Sequence, residues 1–100
     1  MNTQRRKTCA DMTEVRNAID AIDRDLVALL GDRLHYIAEA ARIKPSRDLV
    51  RDDERVDDVL TKVRQAAVQQ GIDPDLIAAV FRELVERSIA HEFTLFDERR

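Results

Sequence analysis

An all-α fold made of a long, a short and a medium helix is predicted by three features of this sequence. Only two of its 100 residues are glycine, two are proline and 37% are charged, a composition rich in helix formers and close to that of long-helix proteins. Apolar residues recur at steps of three and four along three separate stretches. Pro45, Gly71 and Pro74 stand between those stretches, where helices stop and start.

The first stretch opens at Val15 and continues through Ile19, Ile22, Leu26 and Leu29, then Tyr36, Ala40 and Ile43. Its steps of four and three make a heptad seam. Asp11 or Thr13 is placed to cap its start, and Pro45 ends it near Lys44, because the residue before a proline avoids the helical region. The helix therefore runs for roughly 31 residues, about 45 Å at the usual rise. So long a helix in so small a chain leaves its seam uncovered unless a second copy packs on it, and a homodimer is expected. Residues 45–51 read as a polar connection. The second stretch carries Val56, Val59, Leu60, Val63 and Ala67 and ends at Gly71, suited to the left-handed position after a helix. Asp73 and Pro74 supply the N-cap and first-turn proline of the third, whose apolar residues are Ile77, Val80, Phe81, Leu84, Ile89 and Phe93. The length is one domain's worth: a flexible tail over residues 1–10, then one helical domain over 11–100.

The net charge of −3 argues against a nucleic-acid partner. The basic run Arg5-Arg6-Lys7 reads as a solvated tail, with contact to an anionic surface as the alternative. Cys9 is the single cysteine, so no disulfide framework or cysteine-based zinc site forms within one chain. His35 and His91 lack metal-ligand spacing, and no metal is expected. No apolar run reaches the ~18 residues of a membrane span, and no signal-peptide core follows the first charges. The chain is expected to be cytoplasmic, with no membrane partner.

The informative residues interrupt apolar seams. Arg33 takes the slot between Leu29 and Tyr36. On the third helix Ile77, Phe81, Leu84, Ser88, Glu92 and Leu95 share one stripe, which puts Ser88 and Glu92 on the buried face. A charge there costs several kcal/mol unless it is paired or meets a charged ligand. Lys44 lies three turns after Arg33 on nearly the same face, about 16 Å along the axis. Two readings stand: Arg33 and Lys44 close on an anionic ligand, or Arg33 pairs with Glu92 across subunits and Lys44 is a solvated cation. Arg16 lies about 25 Å from Arg33 along a straight helix, so it reaches that pocket only from a second subunit; otherwise it is a surface residue. Ser88 has no base at triad-like spacing and is not read as a nucleophile. These patterns reach a cationic pocket in a helical dimer and stop short of a reaction.

The stretch Val15-Arg16-Asn17-Ala18-Ile19-Asp20-Ala21-Ile22-Asp23, followed by Leu26 to Leu30, Arg33 and Lys44, resembles the all-helical class of chorismate mutase and its relative isochorismate-pyruvate lyase. Glu54-Arg55-Val56, Gly71-Ile72-Asp73 and Ser88-Ile89-Ala90 extend the resemblance, which covers about residues 9 to 96. It implies an intertwined helical homodimer with two sites, each built from both subunits and binding a small dicarboxylate. Carried onto this chain, Arg16 of one subunit and Arg33 of the other would hold the two carboxylates, since guanidinium grips carboxylate bidentately. Lys44 would donate to the ether oxygen and a carboxylate. Glu54 would accept the ring hydroxyl, and Ser88 and Glu92 would line the pocket, Glu92 at the second ether-oxygen position. The implied reaction is the pericyclic rearrangement of chorismate to prephenate, which needs no cofactor.

Many members of that family have glutamine where this chain has Glu92, and a glutamate donates to an ether oxygen only when protonated. The connection from Lys44 to Glu54 is short and resembles the lyase branch, as does Cys9 ahead of the first helix. Asp53 stands where mutases often place an arginine. These features keep isochorismate-pyruvate lyase, which yields salicylate and pyruvate, as the alternative. An alternative of another class is a non-catalytic helical dimerisation module or a regulatory domain. The cations of residues 45–51 are expected to order around a bound dianion.

Overall fold

A computed structural model describes residues 6–99. Residues 1–5 of the expected tail, with Arg5 of its basic run, lie outside the described residues. The elements are α1 (Met12–Ile43), a 3-10 turn (Arg47–Leu49), α2 (Asp53–Gln69) and α3 (Pro74–Glu98), with no strand among the described residues. The chain divides between His35 and Tyr36 into two units, with α1 contributing to both.

The N-terminal unit is α1 up to His35 and the residues before it. Asp11 caps the helix: its Oδ1 accepts from the Glu14 amide at 2.9 Å, while Glu14 Oε2 accepts from the Ala10 amide at 2.8 Å. One orphan donor of the first turn and the amide just ahead of the cap are satisfied in this way. None of this unit's described residues is buried. The seam residues stand open, Ile19 at 51%, Leu26 at 49% and Leu29 at 63% exposure. Val27, Leu30 and Leu34 are exposed with them.

The C-terminal unit holds the last turns of α1, the 3-10 turn, α2 and α3. Its core is Ala41, Val50, Leu60, Ala67, Ala78 and Val85, and α2 packs along α3. Ala67 and Ala78 are small, which lets two backbones approach closely. Asp52 caps α2 by accepting from the Arg55 amide at 3.2 Å. On its outer face Asp58 accepts from Lys62 at 2.9 Å and Arg55 at 2.6 Å; those hydrogen bonds hold its carboxyl below the usual range. α2 closes in a Schellman motif, with the Ile72 amide donating to the Ala67 carbonyl at 2.9 Å and the Gly71 amide to Val68 at 3.1 Å. Gly71 takes φ 71 there, a region costly for any side chain bearing Cβ. Asp73 then caps α3, accepting from the Asp75 amide at 2.9 Å, with Pro74 in the first turn.

The connection expected to be merely polar carries structure of its own. Its 3-10 turn closes through the Leu49 and Val50 amides onto Ser46 and Arg47 carbonyls, and Val50 is buried at 3% exposure. Leu49 and Val50 are two adjacent apolar residues among polar ones and carry no periodicity, so the sequence pattern missed this anchor.

Truncating Leu60 to alanine should cost about 2–5 kcal/mol by opening a cavity between α2 and α3. Asp52→Ala should cost about 1 kcal/mol by uncapping α2. Urea unfolding followed by circular dichroism measures both.

Candidate functional site

Glu92 is the most constrained polar residue in the C-terminal unit. It lies on the α3 stripe that also carries Ser88, and the two are each 4% exposed, as the 3.6-residue period requires. Lys44, one residue past α1, brings its ammonium to Glu92 Oε2 at 2.6 Å. The Lys44 side chain is itself only 27% exposed. Its Nζ donates a second bond to the Val50 carbonyl at 3.3 Å. Ser88 turns its hydroxyl back along the helix and donates to the Leu84 carbonyl at 2.7 Å.

This pairing differs from the reading in which Lys44 is a solvated cation. Glu92 has a partner within its own chain, and Lys44 is not a solvated helix-end cation. An ammonium–carboxylate pair so sheltered gains from low local dielectric what it loses in hydration only if the remaining hydrogen bonds are made; among the described residues no buried side-chain nitrogen or oxygen lacks a partner. The 48 residues between Lys44 and Glu92 put the pair beyond any helical spacing rule.

Three further arginines are tied into the C-terminal unit. Arg99 lays its guanidinium over the Phe96 ring at 3.6 Å. Its Nη1 donates to the carbonyls of Ala41, Arg42 and Lys44 at 3.0, 3.3 and 2.6 Å. Arg47 bonds Asp97 at 2.9 Å and covers Phe93 at 4.5 Å. That hydrogen bond and the carboxylate's charge raise Arg47 above its already high pKa. Arg51 reaches Glu86 at 2.7 Å and Asp53 at 3.5 Å, and the Glu86 hydrogen bond raises it likewise. The cations expected to wait for a dianion are thus engaged with carboxylates of α3. Both pairs are exposed and are worth little each.

Of the sequence-predicted residues, the structure joins Lys44 to Glu92 and buries Ser88 one turn away on the same helix. Glu54 stands exposed in the first turn of α2. Arg16 and Arg33 belong to the N-terminal unit, Arg16 exposed and Arg33 half-buried with interactions of its own. Sequence reasoning missed Arg99 and Arg47. Their acceptors are carbonyls and carboxylates more than 45 residues away in sequence; the cue available was their spacing from Phe93 and Phe96, and it is weak. A shallow concavity lined by Arg64, Gln65, Val68, Gln69 and Pro74 shares no residue with this cluster. Its one charged residue, Arg64, is already paired with Asp75 at 2.7 Å. No helix among the described residues is long and apolar enough to cross a membrane.

Comparison with known proteins bears on the same residues. Residues 15–93 match the family model described as chorismate mutase type II, a span that includes Lys44, Ser88 and Glu92. The isochorismate pyruvate lyase of Pseudomonas aeruginosa is 30% identical over 92 residues, covering 92% of this chain and 91% of that protein. The T-protein of Enterobacter agglomerans is 34% identical over 84 residues, 83% of this chain but 22% of its own length. The chorismate mutase of Methanocaldococcus jannaschii is 24% identical over 88 residues, 87% of this chain and 89% of that protein. On the length of the family match and its coverage of α1, α2 and most of α3, the chain belongs to the chorismate mutase type II family.

Proposed function

We propose that the chain is a chorismate mutase that works as a homodimer and rearranges chorismate to prephenate. The observation that carries this reading is the sheltered Lys44–Glu92 pair, set in a chain of this family. An ammonium has three donors. Lys44 directs one at Glu92 and one at the Val50 carbonyl, which leaves one for a substrate ether oxygen or carboxylate. No covalent step is required: the site holds the enolpyruvyl chain over the ring in a reactive conformer and meets the negative charge that builds on the ether oxygen. Arg33 of one subunit and Arg16 of the partner subunit grip the two carboxylates, and Glu54 accepts the ring hydroxyl. Ser88 lines the pocket, and Glu92 holds the Lys44 ammonium that meets the ether oxygen.

The exposed seam of α1 supports the dimer. Covering a Leu or Ile side chain gains about 1.5–3 kcal/mol, and Ile19, Ile22, Leu26 and Leu29 all offer that area. A lone helix in water is marginal without such packing. A second copy, antiparallel on this seam, brings a partner's Arg16 toward Arg33 without bending either helix.

A second reading, isochorismate-pyruvate lyase, is favoured by one observation. The protein of that name matches this chain over nine-tenths of both lengths. The same cationic groups suit either dicarboxylate. Incubation with chorismate and with isochorismate, followed by chromatography of the products, separates them: prephenate marks the mutase, salicylate with pyruvate the lyase. Turnover of neither by a folded dimer would leave a non-catalytic helical module.

Arg33→Ala should lower kcat/KM by at least about 100-fold, the scale of a lost charge-stabilising donor, with the dimer intact by sedimentation. Leu29→Asp should split the dimer by placing a charge in the seam, seen as a halved mass in sedimentation. Lys44→Ala should destabilise the fold by about 3–5 kcal/mol because it strands the Glu92 charge, and the Lys44→Met/Glu92→Leu double variant should recover most of that in urea unfolding while staying inactive.

A further inference from the structure

Pro45 creates a defect that the rest of the chain has to repair. In a continuing helix the Ala41 carbonyl accepts from the amide four residues on, but that residue is Pro45, which has no N–H. Ala41 is 2% exposed, so water is poorly placed to take over. Arg99 supplies the missing donor. Its Nη1 bonds the Ala41 carbonyl at 3.0 Å and also takes the Arg42 and Lys44 carbonyls at 3.3 and 2.6 Å. A guanidinium at the C-terminal end of α1 further meets the negative pole of the helix, and stacking at 3.6 Å on Phe96 fixes its plane.

The three carbonyls straddle the point where the chain leaves α1. Lys44 is consequently held at both ends: its backbone oxygen by Arg99, the C-cap of α3, and its ammonium by Glu92 of α3 at 2.6 Å. Arg99, the C-cap of α3 with an extended backbone, follows Glu92 by seven residues. A lysine side chain has four rotatable bonds and much entropy to lose. Fixing its root shortens the arc over which its ammonium wanders. Arg99 lies beyond residues 15–93, the span shared with the family model.

We propose that Arg99 is a positioning residue for the reaction: it replaces the donor that Pro45 removes and thereby sets where Lys44 presents its ammonium. This rests on the proposed role of Lys44 at the substrate ether oxygen. A displacement of the order of 1 Å costs up to about 100-fold in rate, so the clamp has leverage without touching substrate.

The test compares wild type, Arg99→Lys and Arg99→Ala in the full chain by turnover of chorismate and isochorismate and by amide hydrogen exchange. Arg99→Ala should lower kcat by about 10- to 100-fold while KM moves less than about 3-fold. Exchange of the Lys44, Leu49 and Val50 amides should quicken, with the α2 amides and the helical circular dichroism unchanged. Arg99→Lys should recover part of the rate, since ammonium reaches fewer carbonyls than the guanidinium fork, and millimolar guanidinium in the buffer should partly restore Arg99→Ala. An unchanged kcat in Arg99→Ala overturns the proposal, as does unchanged exchange at residues 44–50. If wild type turns over neither substrate, the functional reading fails on its own, and the exchange experiment still decides whether Arg99 holds Lys44. Equal losses in kcat, stability and α2 protection, with no rescue by guanidinium, would reduce Arg99 to a structural residue and overturn the positioning role.

Discussion

A carboxylate at 4% exposure needs a counter-charge, and in this protein the need falls on Glu92 and is met by Lys44. The C-terminal unit is arranged around that requirement. α3 presents Glu92 to the exit of α1, the chain turns at Pro45 so that Lys44 can reach it, and Val50 packs into the core while lending its carbonyl to the same ammonium. Removing the pair's surroundings would leave two hydrated charges and no reason for the connection to fold back. The pair in turn explains why a connection of mostly polar residues holds a definite 3-10 turn.

The helices were legible in the sequence because each boundary has a local chemical cause. Asp11, Asp52 and Asp73 accept from first-turn amides, Pro45 ends one helix, and Gly71 adopts the left-handed conformation that closes another. Burial of Ser88 and Glu92 was equally legible, since a 3.6-residue period fixes which residues share a face. The partners of those buried groups were not legible. Lys44 with Glu92 and Arg99 with Ala41 are contacts across 48 and 58 residues, and they are set by how α3 lies along the end of α1, which no spacing within one helix encodes. Val50 was hidden for the opposite reason: with Leu49 it forms an isolated apolar pair that has no period.

The two units carry different kinds of surface. The C-terminal unit closes a small core of its own. The N-terminal unit has an exposed apolar seam and a helix held by its caps and its continuation into the other unit. Of the residues that the family resemblance singles out, Lys44, Ser88 and Glu92 have their local environment settled by the C-terminal unit, whereas Arg16 and Arg33 sit on the helix whose apolar face is open. A single chain therefore settles the surroundings of Lys44, Ser88 and Glu92, while the helix that carries Arg16 and Arg33 keeps its apolar face open.

Ser88 carries a consequence of its own. A hydroxyl has a single proton, and Ser88 gives its proton to the Leu84 carbonyl at 2.7 Å. That proton is the only one the side chain has. With Glu92 accepting from Lys44, neither buried polar side chain of α3 has a hydrogen-bond donor to spare.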